Sequence, residues 1–222
     1  MKNYSVFDIL GPAMIGPSSS HTAGAARLGK IAREIAGEAF YKVTFYLHGS
    51  FAKTYKGHGT DRALAAGVLG MEPSDERIRN SLNIAKERGI DMEFIEANLG
   101  YEHPNTVKIV FHYRDRDDYY IIGSSIGGGS ILITNINGNK VKFSGDYPTI
   151  LISYRDQKGS INRISSILSN QDINIATMAV SREGKIATMI METDSPIKNG
   201  VIDSISALDE VVYVTGINSI RR

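Results

Sequence analysis

The chain has 222 residues, of which 42% are apolar, 22% are charged and none is Cys; this composition is typical of one or two globular domains and excludes disulfides and thiolate-bound metal sites made by this chain alone. Its 25 Lys and Arg residues balance 24 Asp and Glu residues, for a formal net charge of +1 without a long run of one sign, so we do not expect a nucleic-acid partner. No apolar run approaches the roughly 20 residues that cross a bilayer, and the N-terminal residues lack a basic segment followed by a sustained apolar one; we therefore expect a cytoplasmic protein without membrane contact.

Residues 1–145 predict one mixed α+β domain. Apolar residues recur at helical spacing over 20–36, which predicts a helix there. The strand KVTFYL follows, and the stretch AKTYKGHGTD is expected to be a polar loop that leads into a helix beginning near Asp61. A further helix is expected after Ser74 as its N-cap, and strands are expected at 92–96, 106–113, 119–125, 130–135 and 140–143.

Residues 148–222 predict a second domain with the order strand, helix, strand, strand, helix, strand. This βαββαβ order is that of the ferredoxin-like fold. Ile161, Ile164 and Leu168 predict the apolar stripe of its first helix, and Glu183-Gly184 predicts the turn between its middle strands. The fold class predicted for the whole chain is therefore α+β.

The segment GPSSSHTAG, residues 16–24, carries more polar groups than a helix start needs. One reading is that a single serine caps the helix and the remaining hydroxyls are solvated. The other is a binding site, because His21 titrates near neutral pH and the free amides of a helix start favour an anion such as a carboxylate. The second reading indicates an amino acid or a hydroxy acid as ligand.

Two further segments concentrate polar groups. HPNT places His103 and Asn105 on either side of Pro104, just before a strand. HGSFAKTYKGHGTD is either a solvated loop with incidental histidines or part of a site. Its polar members are His48, Ser50, Lys53, Lys56, His58, Thr60 and Asp61.

The run SSIGGGS, residues 124–130, raises the question of a phosphate loop such as that of a pyridoxal-phosphate enzyme. Loops of that kind lead into a helix whose N-terminus holds the phosphate. Here the strand-like ILIT follows, which favours a bulge or close backbone packing instead.

Taken together, GPSSSHTAGAARLG, GHGTDRALAAGVLG, HPNT and SIGGG resemble the β chain of the iron-sulfur-dependent L-serine dehydratases over almost the whole chain. The C-terminal βαββαβ unit resembles an ACT domain, and the N-terminal domain is similar to a regulatory domain of some phosphoglycerate dehydrogenases. The resemblance implies conversion of L-serine to pyruvate and ammonia with a 4Fe-4S cluster held by three cysteines. In two-chain members those cysteines belong to a separate α chain, which agrees with the absence of Cys here.

The resemblance also implies the site residues. His21 is the expected base, with Ser19, Ser20 and Thr22 in the same catalytic turn and Ser18 beside them to bind substrate. His58, Thr60, Asp61, His103 and Asn105 are expected to orient His21 or hold the substrate amino group, or else to shape an effector site.

In the ACT-like unit the family's ligand turn corresponds to Arg155, Asp156, Lys158 and Gly159. An amino-acid effector there and a purely structural contact between two ACT domains both remain open, since this turn lacks the Pro-Gly of several serine-binding examples. The expected partners are thus an α chain, L-serine and a second ACT domain. The alternatives to an enzyme subunit are a non-catalytic amino-acid sensor and a pyridoxal-phosphate dehydratase that acts alone.

Overall fold

The computed structural model describes residues 13–218, so residues 1–12 and 219–222 of the two predicted domains lie outside it. The backbone divides into two compact units between Gly138 and Asn139. The domain boundary expected at residues 145–148 stays a prediction.

In the first unit, the first helical element is a π-helical turn that runs directly into a long α-helix. Most of this helix is buried: its apolar and small residues pack inward, and the buried Arg27 donates to the carbonyl of Gly129 at 2.8 Å. The turn is Ser19–Ala23, and the helices are α1 (Gly24–Ala36), α2 (Gly49–His58), α3 (Thr60–Val68), a 3-10 helix (Glu76–Asn80) and α4 (Ser81–Glu87).

Within the first unit the sheet has the strand order β2-β1-β3-β4-β5, and β6 belongs to the second unit. Strand β1 is parallel to β2, whereas the pairs β1–β3, β3–β4 and β4–β5 are antiparallel. The strands are β1 (Lys42–Leu47), β2 (Asp91–Glu96), β3 (Thr106–His112), β4 (Tyr119–Gly127), β5 (Ser130–Ile136) and β6 (Asn139–Phe143). The five strands predicted after the helices are confirmed to within a few residues.

Helices α1 and α3 pack closely through small residues. A Cβ on Gly67 would overlap the carbonyl of Ala26, and a Cβ on Gly29 would overlap the carbonyl of Leu64. Glycine at these two positions lets the helix backbones touch. This contact fixes the turn that precedes α1 against the start of α3.

Two local predictions are wrong. The stretch expected as a polar loop forms α2, whose apolar contribution is limited to Phe51 and Ala52, so periodicity gave little sign of it. Asp75, not Ser74, caps the following helix, because its side chain accepts from the backbone N–H of Arg77 at 2.9 Å.

The second unit confirms the ferredoxin-like order, with an antiparallel sheet in the order β10-β7-β9-β8. Its core lies between the helices and the inward face of the sheet, where Ile164 and Leu168 are buried, whereas Ile161 is 38% exposed. The elements are β7 (Thr149–Arg155), α5 (Ser160–Asn170), β8 (Ile175–Glu183), β9 (Ile186–Thr193), α6 (Asn199–Ser206) and β10 (Val211–Ile217).

Candidate functional site

The SSSHT segment forms a tight helical turn held by its own first serine. Ser18 has extended backbone angles, and its hydroxyl accepts from the backbone N–H of His21 at 3.3 Å. Ser18 is therefore the capping residue, as the simpler reading of the segment requires. Its Oγ also lies 3.4 Å from Nδ1 of His21, so the cap and the histidine ring are joined.

The other ring nitrogen of His21 contacts α2. Its Nε2 lies 3.1 Å from Oγ of Ser50, a residue 29 positions further along the chain. The start of α2 is held by the HPNT loop, since the backbone N–H of Ser50 donates to the carbonyl of Pro104 at 2.7 Å. Two of the segments singled out by the sequence therefore meet at the His21 imidazole, and the HPNT loop holds the backbone of the second.

His58 and Phe51 pack against the His21 ring from the same helix. The His58 ring centroid is 4.7 Å from that of His21, and the Phe51 ring centroid is 5.3 Å from it in an edge-to-face arrangement. Burial lowers the pKa of His21 below its ordinary value, and the charge of nearby His58 lowers it further. Both effects favour the neutral imidazole, the state in which a histidine accepts a proton.

Several buried polar atoms around this turn have no hydrogen-bond partner among the described residues. Leaving a buried polar group unpaired costs roughly 1–3 kcal/mol, and such groups in native proteins call for a water, a ligand or a partner. These atoms are Oγ1 of Thr22, Nδ1 of His58, Oγ1 of Thr60, Oδ1 of Asn105 and Oγ of Ser125.

A cleft of about 260 Å³ opens on one side of His58. It is lined by the backbone of the two glycines that flank His58 and by the segment before the SSSHT turn, with two arginines. The lining residues are Ile15, Gly16, Pro17, Thr22, Gly57, His58, Gly59, Arg62, Ile78 and Arg79.

The remaining predicted site residues of the first unit lie in the SSSHT turn itself and in the GHGTD and HPNT segments. Ser19 and Ser20 are half-buried in the turn itself. Asp61 accepts from the backbone N–H of Arg62 at 2.8 Å, and exposed His103 accepts from the backbone N–H of Asn105 at 3.1 Å. These two side chains make local turn contacts.

The glycine run forms the tight turn between β4 and β5. Gly127 pairs with Ser130, and the backbone of Gly127, Gly128 and Gly129 has positive φ throughout. A strand follows the run and no helix does, so it is not the phosphate loop of a pyridoxal-phosphate enzyme. The register of β4 against β5 shifts between Ser125 and Gly127, which confirms the expected bulge.

In the second unit, the turn after β7 is bound by the unit's own side chains. Arg155 donates to the carbonyl of Asp209, and Asp156 pairs with Arg182 at 2.8 Å. Lys158 and Gly159 are exposed, and Gly159 has φ of 87°.

The side chain of Arg163 lies over this turn and binds Glu210, a carboxylate only 4% exposed. Burial alone would raise the pKa of Glu210. Hydrogen bonds from its own backbone amide, from Arg163 and from Ser160 outweigh burial and lower the pKa.

Sequence reasoning left some residues out of the site. Ser50 was visible only as one polar residue in its segment, and nothing local links it to His21. Ser125 was visible only as a neighbour of the glycine run. Arg62 stands within the GHGTDRALAAGVLG motif but was not singled out there, and Arg79 belongs to a helix that looks architectural in sequence.

The part of the chain that the structure describes contains neither a candidate metal site nor a candidate membrane span. Within residues 13–218, no three His, Asp or Glu side chains converge in a way that could hold a metal ion. Over the same range no helix combines the length and apolarity needed to cross a bilayer.

These features define an α+β protein with a neutral histidine between two hydroxyls in its first unit and a ferredoxin-like second unit. The family model for the serine dehydratase beta chain matches residues 5–88, and that for the ACT domain matches residues 148–210. The chain belongs to the serine dehydratase beta chain family and carries an ACT domain.

Individual relatives agree with this assignment. The "L-serine dehydratase, beta chain" of Peptoniphilus asaccharolyticus is 46% identical over 94% of this chain and 96% of its own length. The "Probable L-serine dehydratase, beta chain" of Bacillus subtilis (strain 168) is 44% identical over 98% and 99%. The "D-3-phosphoglycerate dehydrogenase" of the same B. subtilis strain is 29% identical over 86% of this chain but only 36% of its own length.

Proposed function

We propose that this chain is the β subunit of an iron-sulfur L-serine dehydratase, and that it acts with a separate α chain to deaminate L-serine to pyruvate and ammonia. The similarity to two β chains over nearly their full length supports the reaction. The observation that carries the role of this chain is the neutral His21 ring, held between the hydroxyls of Ser18 and Ser50.

In the proposed reaction His21 removes the proton from Cα of serine. The electron pair of the Cα–H bond becomes the second bond between Cα and Cβ, and the Cβ–O bond breaks with loss of hydroxide. The resulting aminoacrylate tautomerises and hydrolyses to pyruvate and ammonia. Because burial lowers the pKa of His21, the ring favours the unprotonated state that the first step requires.

The two ring nitrogens of His21 suggest different tasks. The Nε2–Ser50 distance is 3.1 Å and the Nδ1–Ser18 distance is 3.4 Å, so Nδ1 has the weaker contact and is more easily released to substrate. Ser50 then orients the ring and accepts from Nε2–H when the imidazolium forms.

The residues of this chain do not fit an iron-sulfur cluster, because the sequence has no Cys and the described residues contain no metal-binding group of side chains. The proposal therefore assigns the cluster to the α chain, where its iron would supply the Lewis acid that the loss of hydroxide requires.

Anaerobic co-expression with a Cys-bearing α chain, followed by a pyruvate assay, tests the proposal. We expect activity from the complex and none from either chain alone, and we expect His21→Ala to abolish turnover. His112→Ala is a matched control, since His112 lies on β3 and pairs with Asp118 and Thr44 instead. Full turnover by this chain alone without iron, or by the His21→Ala complex, would contradict the proposal.

A second candidate is an amino-acid sensor without a catalytic role, which the ACT match and the similarity to a phosphoglycerate dehydrogenase favour. Its effector turn would be Arg155 to Gly159. Calorimetry with L-serine on this chain, together with unchanged turnover in a His21→Ala complex, would support it.

We also propose that the β subunit associates with a second copy of itself through the ACT domain. Strand β8 is an edge strand of its sheet, and Met178 on it is 45% exposed. An open edge of this kind is a template for pairing with a second copy. Sedimentation of the purified αβ complex at several concentrations would show whether it pairs.

A further inference from the structure

The cleft beside His58 carries a positive charge that nothing in the described residues neutralises. Arg62 projects from the first turn of α3 and Arg79 from the 3-10 helix, and both line the cleft. Neither guanidinium has an ion pair or hydrogen bond within residues 13–218, whereas Arg77, two positions before Arg79, donates to Asp75 at 2.9 Å. Two guanidinium groups without acidic partners at one concave surface favour an anion.

The wall of the cleft nearest His21 contains unpaired polar atoms. Thr22 is 2% exposed and its Oγ1 has no described partner, and Nδ1 of His58 has none either. Both residues line the cleft. A ligand that brings hydrogen-bonding groups would satisfy these atoms, which an inert cavity leaves unpaired.

Size and position limit the ligand. A volume of about 260 Å³ lies below the range of roughly 300–1,000 Å³ that suits drug-sized ligands. A single small amino acid therefore fits better than a nucleotide. His58 belongs both to this cleft and to the ring pair with His21, so a ligand in the cleft lies beside the ring that packs against the proposed base.

We propose that this cleft, which we call the arginine cleft, binds the α-carboxylate of the amino-acid substrate through Arg62 and Arg79, with Thr22 and His58 completing its polar wall. The inference rests on the proposed function, because it names the part of that site which selects an amino acid with a free carboxylate. Arginine suits the task, since its planar donors match a carboxylate in pairs.

The first test uses steady-state kinetics of the αβ complex with Arg62→Gln, Arg79→Gln and the double variant. We expect each single change to raise KM for L-serine roughly 10- to 100-fold, as loss of a charge-assisted hydrogen bond does, with a smaller change in kcat. Arg62→Lys keeps the charge and should recover part of the loss. Arg77→Gln is the matched control, and it should leave KM unchanged because Arg77 lies outside the cleft.

A second experiment measures binding and does not depend on turnover. Calorimetry on the complex compares L-serine with L-serinamide, which has the same shape without the carboxylate charge. We expect the wild-type complex to bind L-serine more tightly and the double variant to lose that preference, while thermal melts show both folded. An unchanged KM and an unchanged preference in the folded double variant would overturn the arginine cleft.

The two proposals fail in different ways. A wild-type complex that binds L-serine in preference to L-serinamide but makes no pyruvate would refute the proposed function and still support the arginine cleft. An active complex whose KM ignores both arginines would refute only the arginine cleft.

Discussion

Replacing Ser50 by Ala removes the hydroxyl that faces Nε2 of His21 at 3.1 Å and leaves the backbone of α2 in place. A neutral hydrogen bond contributes about 0.5–1.5 kcal/mol, and one to a charged group about 1.5–3 kcal/mol. His21 becomes charged only as it accepts the proton, so the bond strengthens toward the transition state. At about 1.36 kcal/mol for each tenfold change, we expect kcat to fall roughly 10- to 100-fold with KM within about 2-fold.

The assay is pyruvate formation by the anaerobic αβ complex, with Thr54→Val as the control. Thr54 lies one turn further along α2 and donates to the carbonyl of Ser50, so its loss perturbs the same helix without touching His21. Thermal melts of both variants separate a folding defect from a catalytic one. If the Ser50→Ala complex turns over at the wild-type rate while His21→Ala is inactive, Ser50 does not assist the base.

Three further predictions concern stability, read from thermal or urea unfolding of the full chain. Gly24→Ala should cost roughly 1–3 kcal/mol, because its Cβ would overlap the Ser125 hydroxyl; Ser125→Ala in the same chain should restore part of it, and a strictly additive double variant would contradict this. Tyr154→Phe should leave the free energy of unfolding unchanged or raise it, since the buried hydroxyl has no described partner. Tyr113→Phe should lower it by about 1 kcal/mol, because the change removes a 2.8 Å hydrogen bond to a backbone carbonyl. Equal effects of the two changes would refute the distinction. Folding lowers the pKa of Glu210, so its carboxylate stabilises the protein above the ordinary glutamate pKa, and this stabilisation is lost as pH falls. Glu210→Gln should therefore lower the free energy of unfolding at pH 7 and weaken its dependence on pH in the acid range. An unchanged pH dependence in the acid range would refute the assignment.

The fold was largely readable from sequence where each element carries its own pattern. The second unit shows clear alternation in its strands and a definite hairpin turn at Gly184, so its order was predicted correctly. Helix α2 was missed because it buries only Phe51 and Ala52 and ends in KGHG, a composition that local rules assign to loops. Its helical form depends on packing against His21 and the HPNT loop, which is tertiary information.

The sequence identified the segments that form the site but not their arrangement in space. The surplus of polar groups around His21 marked the turn, and Ser18 proved to be both its cap and a partner of the ring. The partner on the other nitrogen, Ser50, lies 29 positions away, and no spacing rule connects the two. The sequence also gives no sign that Arg62 and Arg79 belong to a site, because an arginine on a helix is ordinary unless the structure shows a cleft beside it.

The unpaired buried atoms connect the site to the assembly proposed for it. Each such atom costs roughly 1–3 kcal/mol when it has neither water nor ligand, and five of them lie in the SSSHT turn, in the GHGTD and HPNT segments and in β4. A partner or substrate that pairs with them binds the folded chain and not the unfolded one, so it must raise the melting temperature. An α chain that covers the His21 turn should therefore stabilise this chain, and L-serine should add to that effect only where Arg62 and Arg79 are intact. Stabilisation by the α chain that is identical in wild type and in a Thr22→Val, Ser125→Ala variant would show that these atoms are satisfied by solvent and that the turn is complete without its partner.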